Sequence, residues 1–364
     1  MMYFDVITIG TATRDAFVRS KDFHVDNDRH VLGGKGLVMP LGAKLEIEKI
    51  VFSTGGGATN TAVTFAKQGL KTAAISVVGN DVSGEAIIQE LKEDKVNTDF
   101  IVRRKELPTA YSILLHPEGG ERTVLVYRGA SENLSSKDIP CKKIKTKWFY
   151  ISSLAGNIGL LQNLVEFARK KKIKIAYNPG GKELKQRKKL LPILKHIDIL
   201  TVDRSEAALI TGVSYKNERK IFQKWDKMSP GINVMTDARN GLWVSDGKYL
   251  YKAGIYKERA VIDRTGAGDA FGSGFLSGIF HKIPNPKIRL LGEFQGFARR
   301  KQRHLLPTQI SKLTIEDIKY AIRLGSANAT SKVEGIGAKF GLLTKKQFET
   351  QKRWKNLLIK VAKL

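Results

Sequence analysis

Residues 263–274 read Asp263-Arg264-Thr265-Gly266-Ala267-Gly268-Asp269-Ala270-Phe271-Gly272-Ser273-Gly274, a cluster of small residues that leads into an apolar pattern. This order predicts a loop followed by a helix whose first backbone N–H groups belong to Gly266, Ala267 and Gly268. Unpaired donors and the helix dipole favour an anion at such a position, and a phosphate group suits it. Asp269 then lies in the first helical turn, where its carboxylate can accept a proton from an attacking hydroxyl. An aspartate that only complements the helix dipole, beside glycines that allow close packing, explains the same residues equally well.

Around this stretch, short apolar runs rich in β-branched residues alternate with helical patterns along the chain. Core strands are predicted at residues 6–9, 73–78, 148–151, 173–177, 197–202 and 232–235. Helices are predicted at residues 59–68, 84–91, 160–170, 205–211, 270–279 and 315–332. This alternation is typical of a mostly parallel sheet covered by helices, so the predicted fold class is α/β.

Two stretches interrupt the alternation, at about residues 18–52 and 103–128. Their alternating apolar and polar residues, such as Tyr111-Ser112-Ile113-Leu114-Leu115, predict antiparallel strands that form a flap over the main sheet. A basic stretch at about residues 285–312 has little periodicity and is expected to be a surface insertion. No linker or repeat separates these parts, so residues 1–364 are expected to form a single domain.

A second glycine cluster, Gly55-Gly56-Gly57, precedes Ala58-Thr59-Asn60. Glycines remove side chains, so a ligand can approach the backbone, and the Asn60 amide can both donate to and accept from hydroxyl groups. This combination suits a polyol. A flexible turn in which Asn60 forms a local cap is the alternative, and it is the better explanation of this stretch taken alone.

The chain is strongly basic, since 63 Lys and Arg residues against 35 Asp and Glu give a net charge of +28. Clustered basic side chains bind nucleic acids and anionic membranes by releasing counterions from phosphates. Here the basic residues are scattered in short patches, which argues against nucleic acid as a partner and favours solvated surface charge. No apolar run approaches the ~18 residues that span a bilayer, so no membrane-spanning segment is predicted.

Cysteine, histidine and glycine patterns exclude several kinds of site. The single cysteine, Cys141, excludes an internal disulfide framework and a cysteine-based zinc site, and the six histidines lack zinc-ligand spacing. Gly33-Gly34-Lys35-Gly36 lacks the hydroxyl residue of a P-loop, and residues 272–278 miss the third glycine of the dinucleotide-binding motif. The first residues lack the basic flank and apolar core of a signal peptide, so a reducing cytoplasm is the expected location.

In combination, these segments resemble the ribokinase-like (PfkB) carbohydrate kinase family over nearly the whole chain. The two glycine clusters, which end at Asn60 and Asp269, are similar to the family's amino-terminal and carboxy-terminal motifs. Segments similar to other family motifs lie between them in the family's order: Val78-Gly79-Asn80-Asp81-Val82-Ser83-Gly84, Gly120-Glu121-Arg122-Thr123, Asn178-Pro179 and Thr236-Asp237-Ala238-Arg239-Asn240-Gly241. The resemblance implies a three-layer α/β/α sandwich with a small β lid, and a homodimer formed through that lid.

The resemblance also implies the reaction, which is transfer of the γ-phosphoryl group of ATP to a substrate hydroxyl. Asp269 is then the base, and the amides of Gly266, Ala267 and Gly268 form the anion hole. The expected substrate-binding residues are Asp15, Gly56, Asn60 and Arg128. A lid that excludes water, an anion hole and Mg²⁺ are sufficient for phosphoryl transfer, because that reaction depends mostly on positioning and charge stabilisation.

On the nucleotide side, the resemblance implies ATP contacts from Thr236, Gly241, Gly268 and Asn328. Ala238 stands where the family commonly has glycine.

The resemblance further implies two ion sites. Glu206 is expected to order the water shell of Mg²⁺, together with Asp203, which stands where the family usually has Asn. A monovalent cation, K⁺ in many members, is expected near Asp263 and Thr265.

The first functional hypothesis is therefore an ATP-dependent carbohydrate kinase for ribose, fructose or a 2-keto-3-deoxy sugar acid. A nucleoside kinase on the same fold is the alternative, and a stacking aromatic in the lid, for which Phe17 and Phe23 are candidates, would favour it. A third hypothesis, from another class, is a non-catalytic regulatory or nucleic-acid-binding protein. The intact Asp269 and its glycines argue against lost catalysis.

Overall fold

The computed structural model describes residues 2–30, 34–117, 122–282 and 313–364. The described strands are β1 (Phe4–Ile9), β2 (Thr13–Arg19), β3 (His24–Asn27), β4 (Lys35–Val38), β5 (Lys49–Gly55), β6 (Thr72–Gly79), β7 (Ile101–Arg104), β8 (Tyr111–His116), β9 (Thr123–Tyr127), β10 (Thr146–Ile151), β11 (Lys174–Tyr177), β12 (Ile199–Asp203), β13 (Ile232–Thr236), β14 (Leu242–Ser245), β15 (Tyr249–Ala253) and β16 (Ile359–Lys363). The described helices are α1 (Gly57–Lys67), α2 (Val82–Glu93), α3 (Ile158–Lys171), α4 (Gly181–Leu184), α5 (Arg187–Leu194), α6 (Arg204–Thr211), α7 (Glu218–Met228), α8 (Ala267–Lys282), α9 (Ile315–Lys332) and α10 (Lys345–Thr350). The predicted basic insertion at 285–312 lies outside the described residues.

The main sheet has ten strands in the order β16-β15-β14-β13-β12-β11-β10-β1-β6-β7. The seven strands from β7 to β13 are parallel to one another, and β14, β15 and β16 continue the sheet as antiparallel strands. All six predicted core strands are confirmed within the parallel part. The antiparallel edge was not predicted, because its strands are short and β16 comes from the far end of the chain.

Helices cover both faces of the main sheet. Side chains alternate between the two faces along each strand, so each strand contributes to a core on either side. On β1, Ile7 and Ile9 pack into a core that includes α3 and α7, whereas Val6 packs into a second core with Phe275 of α8. The three layers of helix, sheet and helix implied by the family resemblance are therefore confirmed. They place α1, α8 and α9 together on one face.

Helices α8 and α9 pack backbone against backbone. A Cβ atom on Gly278 would lie 2.5 Å from Cα of Ala321, so glycine is required for this approach. The α8 surface is buried over most of its length, from Ala270 to Ile279. This contact brings the end of α9 close to the loop that precedes α8.

A second sheet is formed by four strands in the order β5-β2-β8-β9. Strands β8 and β9 pair antiparallel, as predicted for residues 103–128, and β2 pairs antiparallel with β5 but parallel with β8. The parallel pairing arises because the chain between β2 and β8 passes through β5, α1, β6, α2 and β7 before it returns. Strands β3 and β4 form a separate hairpin.

Candidate active site

The N-terminus of α8 is formed as the sequence predicted, with the helix beginning at Ala267. Gly266 has φ +78°, and a Cβ atom there would lie 2.8 Å from Cβ of Ala338, so glycine is required by both conformation and space. A Cβ on Gly268 would meet no atom within 4 Å, which leaves its backbone approachable. The Ala267 amide donates to the carbonyl of Arg264 (3.2 Å) and is the least available of the three predicted donors.

Asp269 and Asn60 meet across 209 residues of sequence, because the first turns of α1 and α8 face each other. The Asn60 Nδ2 atom donates to Oδ2 of Asp269 at 2.8 Å. Burial raises the pKa of the Asp269 carboxyl, and the Asn60 donor partly opposes this. Oδ1 of Asn60 is buried and has no hydrogen-bond partner among the described residues. An unpaired buried acceptor next to a carboxylate is suited to a ligand hydroxyl.

Asp15 is buried on β2, at the other end of the glycine cluster from Asn60. The Thr13 hydroxyl donates to its Oδ1 atom at 3.1 Å, and burial raises the pKa of the Asp15 carboxyl. A Cβ atom on Gly55 would lie only 2.1 Å from Oδ2 of Asp15. The sequence did not predict that Gly55 makes room for the Asp15 carboxylate, because this contact joins two strands and leaves no local pattern.

Gly56 is the N-cap residue of α1, with φ +96°. A Cβ atom there would lie 2.4 Å from the carbonyl oxygen of Thr11. The cluster therefore needs glycine for a left-handed turn and for close backbone approach, and it sets the start of the helix that carries Asn60.

Arg128 is not brought to this group by any described contact. Its guanidinium pairs with Glu132 at 3.8 Å, and its side chain is more than half exposed. Glu132 also accepts from Lys182 at 2.6 Å, so Arg128 belongs to a surface charge cluster in this conformation.

The loop after β13 holds Thr236 at the strand end and Gly241 at its exit. Gly241 has φ +89°, and a Cβ atom there would lie 2.1 Å from the carbonyl oxygen of Ala253. Ala238 also has a positive φ, +44°. The substitution of alanine for the family's common glycine therefore falls at a strained position.

Asn328 is placed differently from the prediction of a nucleotide contact. Its side chain is 0% exposed. Its Nδ2 atom donates to the carbonyl of Ala270 (2.8 Å), and its Oδ1 atom accepts from the Leu343 amide (2.9 Å). Asn328 thus joins α9 to α8 and to the segment before α10, and it does not face a groove.

Asp203 and Glu206 form a capping box at the start of α6. The Asp203 amide donates to Oε2 of Glu206 at 2.9 Å, and the Glu206 amide donates to Oδ1 of Asp203 at 2.8 Å. Burial and the Asp203 charge raise the pKa of Glu206 to about 7, against the opposing Asp203 backbone hydrogen bond. The second oxygen of each carboxylate has no hydrogen-bond partner in the described parts of the chain, so this pair fits a hydrated Mg²⁺ ion.

The predicted monovalent-cation residues, Asp263 and Thr265, are brought together, but a lysine reaches the same oxygen atoms. The Thr265 amide and hydroxyl donate to Oδ1 of Asp263 at 2.9 and 2.7 Å. The ammonium of Lys332 donates to the Asp263 carbonyl at 2.6 Å and to its Oδ2 atom at 3.2 Å. These residues therefore do not fit a K⁺ ion. The sequence placed Lys332 only as the last residue of a helix, where a lysine ordinarily complements the dipole.

Two kinds of feature are absent from the part of the chain that the structure describes. Within the described residues, no group of three or more His, Cys, Asp or Glu side chains is arranged to hold a metal ion. Over the same ranges, none of the helices has both the length and the apolar character needed to cross a membrane.

Comparison with known proteins gives concordant matches. Residues 37–345 match the family described as pfkB family carbohydrate kinase. A ribokinase from Staphylococcus aureus is 27% identical over 244 residues, which are 65% of this chain and 78% of that protein. A cytidine kinase from Thermococcus kodakarensis is 27% identical over 242 residues, 65% of this chain and 84% of that protein. The solved structure of Arabidopsis thaliana ribokinase complexed with ribose and ATP has a TM-score of 0.70 at 17% identity, and the match covers 98% of this chain and 100% of that one. The predicted ribokinase-like fold is thus confirmed.

Proposed function

Since the chain belongs to the PfkB family of carbohydrate kinases, which transfer a phosphate to a hydroxyl group, we propose that Asp269 is the base of this reaction. The activity of the chain is the ATP-dependent phosphorylation of a hydroxyl on a sugar-like substrate.

The pairing of Asn60 with Asp269 carries this proposal. The substrate hydroxyl binds beside the two side chains and gives its proton to the Asp269 carboxylate as its oxygen attacks the γ-phosphorus of ATP. The bond from that phosphorus to the bridging oxygen breaks, and ADP leaves. Burial raises the pKa of Asp269 and so makes its carboxylate a better base.

Backbone amides, polar side chains and the second sheet position the reactants in this proposal. The backbone at Gly266 and Gly268 binds the transferred phosphate at the N-terminus of α8, where the helix dipole favours negative charge. The unpaired Oδ1 atom of Asn60 accepts from a second substrate hydroxyl. Asp15 holds further hydroxyls from β2, and the second sheet acts as the lid that excludes water.

We propose that Asp203 and Glu206 would hold Mg²⁺ through the water molecules of its shell. Mg²⁺ bound there would neutralise the charge that develops on the phosphate oxygens. In the capping box each carboxylate accepts from the backbone amide of the other residue, which leaves one oxygen of each for ordered water.

A nucleoside is favoured as the second candidate substrate by an aromatic pair in the second sheet. Phe17 lies two residues after Asp15 and stacks on His116 of β8, with ring centroids 5.9 Å apart. Nε2 of His116 is buried without a hydrogen-bond partner among the described residues. A planar base that contacts Phe17 would supply the missing hydrogen-bond partner of His116 Nε2. Phe23 packs with Ala16 and Val18, which point to the opposite face of β2, so it does not contribute.

A homodimer through the second sheet is proposed because that sheet exposes apolar residues on its outer face. Phe52 is 51% exposed and Leu125 51%, and Ile50, Ile113 and Met39 line the same apolar surface. A second copy covering it would bury a patch that monomers rarely leave in water. Multi-angle light scattering tests this directly.

Cys141 is free and exposed, which agrees with a cytoplasmic location.

The deciding experiment measures ADP release from Mg-ATP across ribose, fructose, glucose, 2-keto-3-deoxygluconate, fructose 6-phosphate and nucleosides. The wild type is compared with Asp269→Asn and with Asp99→Asn, a matched change at an exposed carboxylate. Turnover of one substrate that collapses by about a thousandfold in Asp269→Asn but not in Asp99→Asn supports the proposal. Equal turnover in all three proteins would refute Asp269 as the base. Preference for nucleosides, lost in Phe17→Ala, would favour the second candidate.

A further inference from the structure

Lys332 carries a buried ammonium group that the phosphoryl-transfer chemistry does not use directly. It is the last residue of α9, and its side chain is 0% exposed. Burying a charge is costly unless it is paired and hydrogen-bonded, so a lysine in this position requires specific partners. All described hydrogen bonds of its ammonium group go to one residue, Asp263.

Asp263 is the first residue of the loop that leads into the anion hole, and three parts of the chain converge on it. Its carboxylate accepts from the Thr265 amide and hydroxyl within that loop. It also accepts from the Gly337 amide at 3.1 Å, in the segment after α9. Gly266 in turn packs against Ala338, the residue after Gly337. A cation at Asp263 therefore sets the path of the backbone that presents the phosphate-binding amides.

The Lys332 contacts are those that a monovalent cation would make. A carbonyl oxygen and a carboxylate oxygen, at 2.6 and 3.2 Å from Nζ, are oxygen ligands of the kind that hard cations take. The ammonium supplies the same single charge but is tethered to α9, so it needs no ion from solution. Burial lowers the pKa of Lys332, and the Asp263 charge opposes this. Burial alone would raise the pKa of Asp263, but Lys332 and Thr265 outweigh it and lower that pKa.

We propose that Lys332 is a built-in cation that replaces a bound monovalent metal ion and positions the loop from Asp263 to Gly268 for phosphoryl transfer. The positioning part rests on the proposed role of that loop as the anion hole. The replacement part rests on the Lys332 and Asp263 geometry alone.

The first test is the ion dependence of the wild type. Initial rates and the melting temperature are measured in K⁺, NH₄⁺, Na⁺ and choline chloride at equal ionic strength, so that general screening is constant. We expect kcat/KM to vary by less than about twofold and the melting temperature to be the same in K⁺ and choline. Activation by K⁺ of about tenfold or more, or a melting temperature raised by K⁺ alone, would overturn the proposal.

The second test removes the ammonium with Lys332→Met, which keeps an apolar stem of similar length and has no atom at the position of Nζ, so that a cation has room there. We expect kcat to fall by about tenfold or more, with a smaller change in the KM for ATP, because the loop amides act mainly in the transition state. K⁺ or NH₄⁺, but not choline, should restore part of kcat and raise the melting temperature of this variant. A folded variant that gives no response to K⁺ in either measurement would count against the proposal.

Lys339→Met is the matched control, because Lys339 is a second buried lysine in the segment after α9. Its ammonium pairs with Glu90 at 3.1 Å and also contacts Thr54, and it makes no described contact with Asp263. We expect this variant to lose stability without gaining a response to K⁺. A response equal to that of Lys332→Met would show a general salt effect and refute the proposal. If Lys332→Met does not fold, the wild-type arm still decides. The melting temperatures also remain informative if no panel substrate is turned over, which separates this test from that of the proposed function.

Discussion

Replacing Gly55 with alanine tests whether Asp15 binds the substrate. Gly55 does not have a positive φ, so the backbone accepts alanine and the effect is steric. The added Cβ would lie 2.1 Å from Oδ2 of Asp15, well inside the 3.0 Å that real Cβ atoms respect, so the carboxylate must shift by roughly 1 Å. A hydrogen bond to a charged group contributes about 1.5–3 kcal/mol, and each 1.4 kcal/mol is tenfold. We expect kcat/KM to fall about 10- to 100-fold, mainly through a higher KM for the sugar-like substrate.

The assay compares initial rates of Gly55→Ala with those of Gly159→Ala. Gly159 lies on α3, where an added Cβ would come no closer than 3.7 Å to another atom, so that control should keep full activity. Thermal melting establishes that both variants are folded. Unchanged kinetics in a folded Gly55→Ala protein would refute the reasoning, because the carboxylate would then either move without consequence or not touch the substrate.

A double-mutant cycle with Asp15→Ala makes the test specific. Alanine at position 15 removes the carboxylate and leaves only the Thr13 hydroxyl, at 2.9 Å, close to the new Cβ. Gly55→Ala should therefore cause little further loss of kcat/KM in the Asp15→Ala background. If the two losses add in free energy, the effect of Gly55→Ala comes from somewhere other than Asp15.

Three further predictions follow from described contacts. Ala238→Gly should raise the melting temperature by about 1–2 °C. The relief of about 1–2 kcal/mol of left-handed backbone strain exceeds the about 0.4–1 kcal/mol that glycine costs through the entropy of the unfolded chain. An unchanged or lower melting temperature in differential scanning calorimetry would contradict this. Asn60→Ala removes the hydrogen-bond donor that partly lowers the pKa of Asp269, so that pKa should rise further. The acid limb of the pH profile of kcat/KM should therefore move to higher pH. An unmoved acid limb would argue against Asp269 as the titrating base. Asp81→Ala removes the acceptor of two hydrogen bonds that Thr109 donates through its amide and its hydroxyl. The free energy of unfolding, measured with urea near pH 7, should fall by about 2 kcal/mol. Burial would raise the pKa of Asp81, but donors led by Thr109 outweigh it and lower that pKa, so this loss should shrink as the pH falls below the ordinary aspartate range; a loss independent of pH would contradict it.

The fold was largely predictable because its central elements leave local patterns. The run at 73–78 is apolar on both faces, as a parallel strand buried under two helix layers requires, and β6 forms there. Helix α9 begins after the Thr314 capping box and covers the predicted residues 315–332. Strands at the antiparallel edge were missed, because β16 is partly exposed and is defined only by its pairing with β15.

The site was predictable where a motif carries it and not where distant side chains meet. The glycine clusters located Asp269 and Asn60, which then prove to be hydrogen-bonded. Asn328 occupies the expected place on its helix, but its amide is taken by backbone groups from two other segments. Lys332 gave no signal, because a lysine at the end of a helix is ordinary until the fold buries it against Asp263.

The parallel pairing of β2 with β8 affects how substrate preference can diverge. The second-sheet residues proposed to face the substrate, Asp15 and Phe17 on β2 and His116 on β8, come from two stretches of chain, with two helices and two strands of the main sheet encoded between them. The sheet is therefore not a cassette that recombination can exchange in one piece. A change of preference has to arise from compensating substitutions on both stretches, and a graft of either stretch alone onto a relative should yield a mismatched pocket.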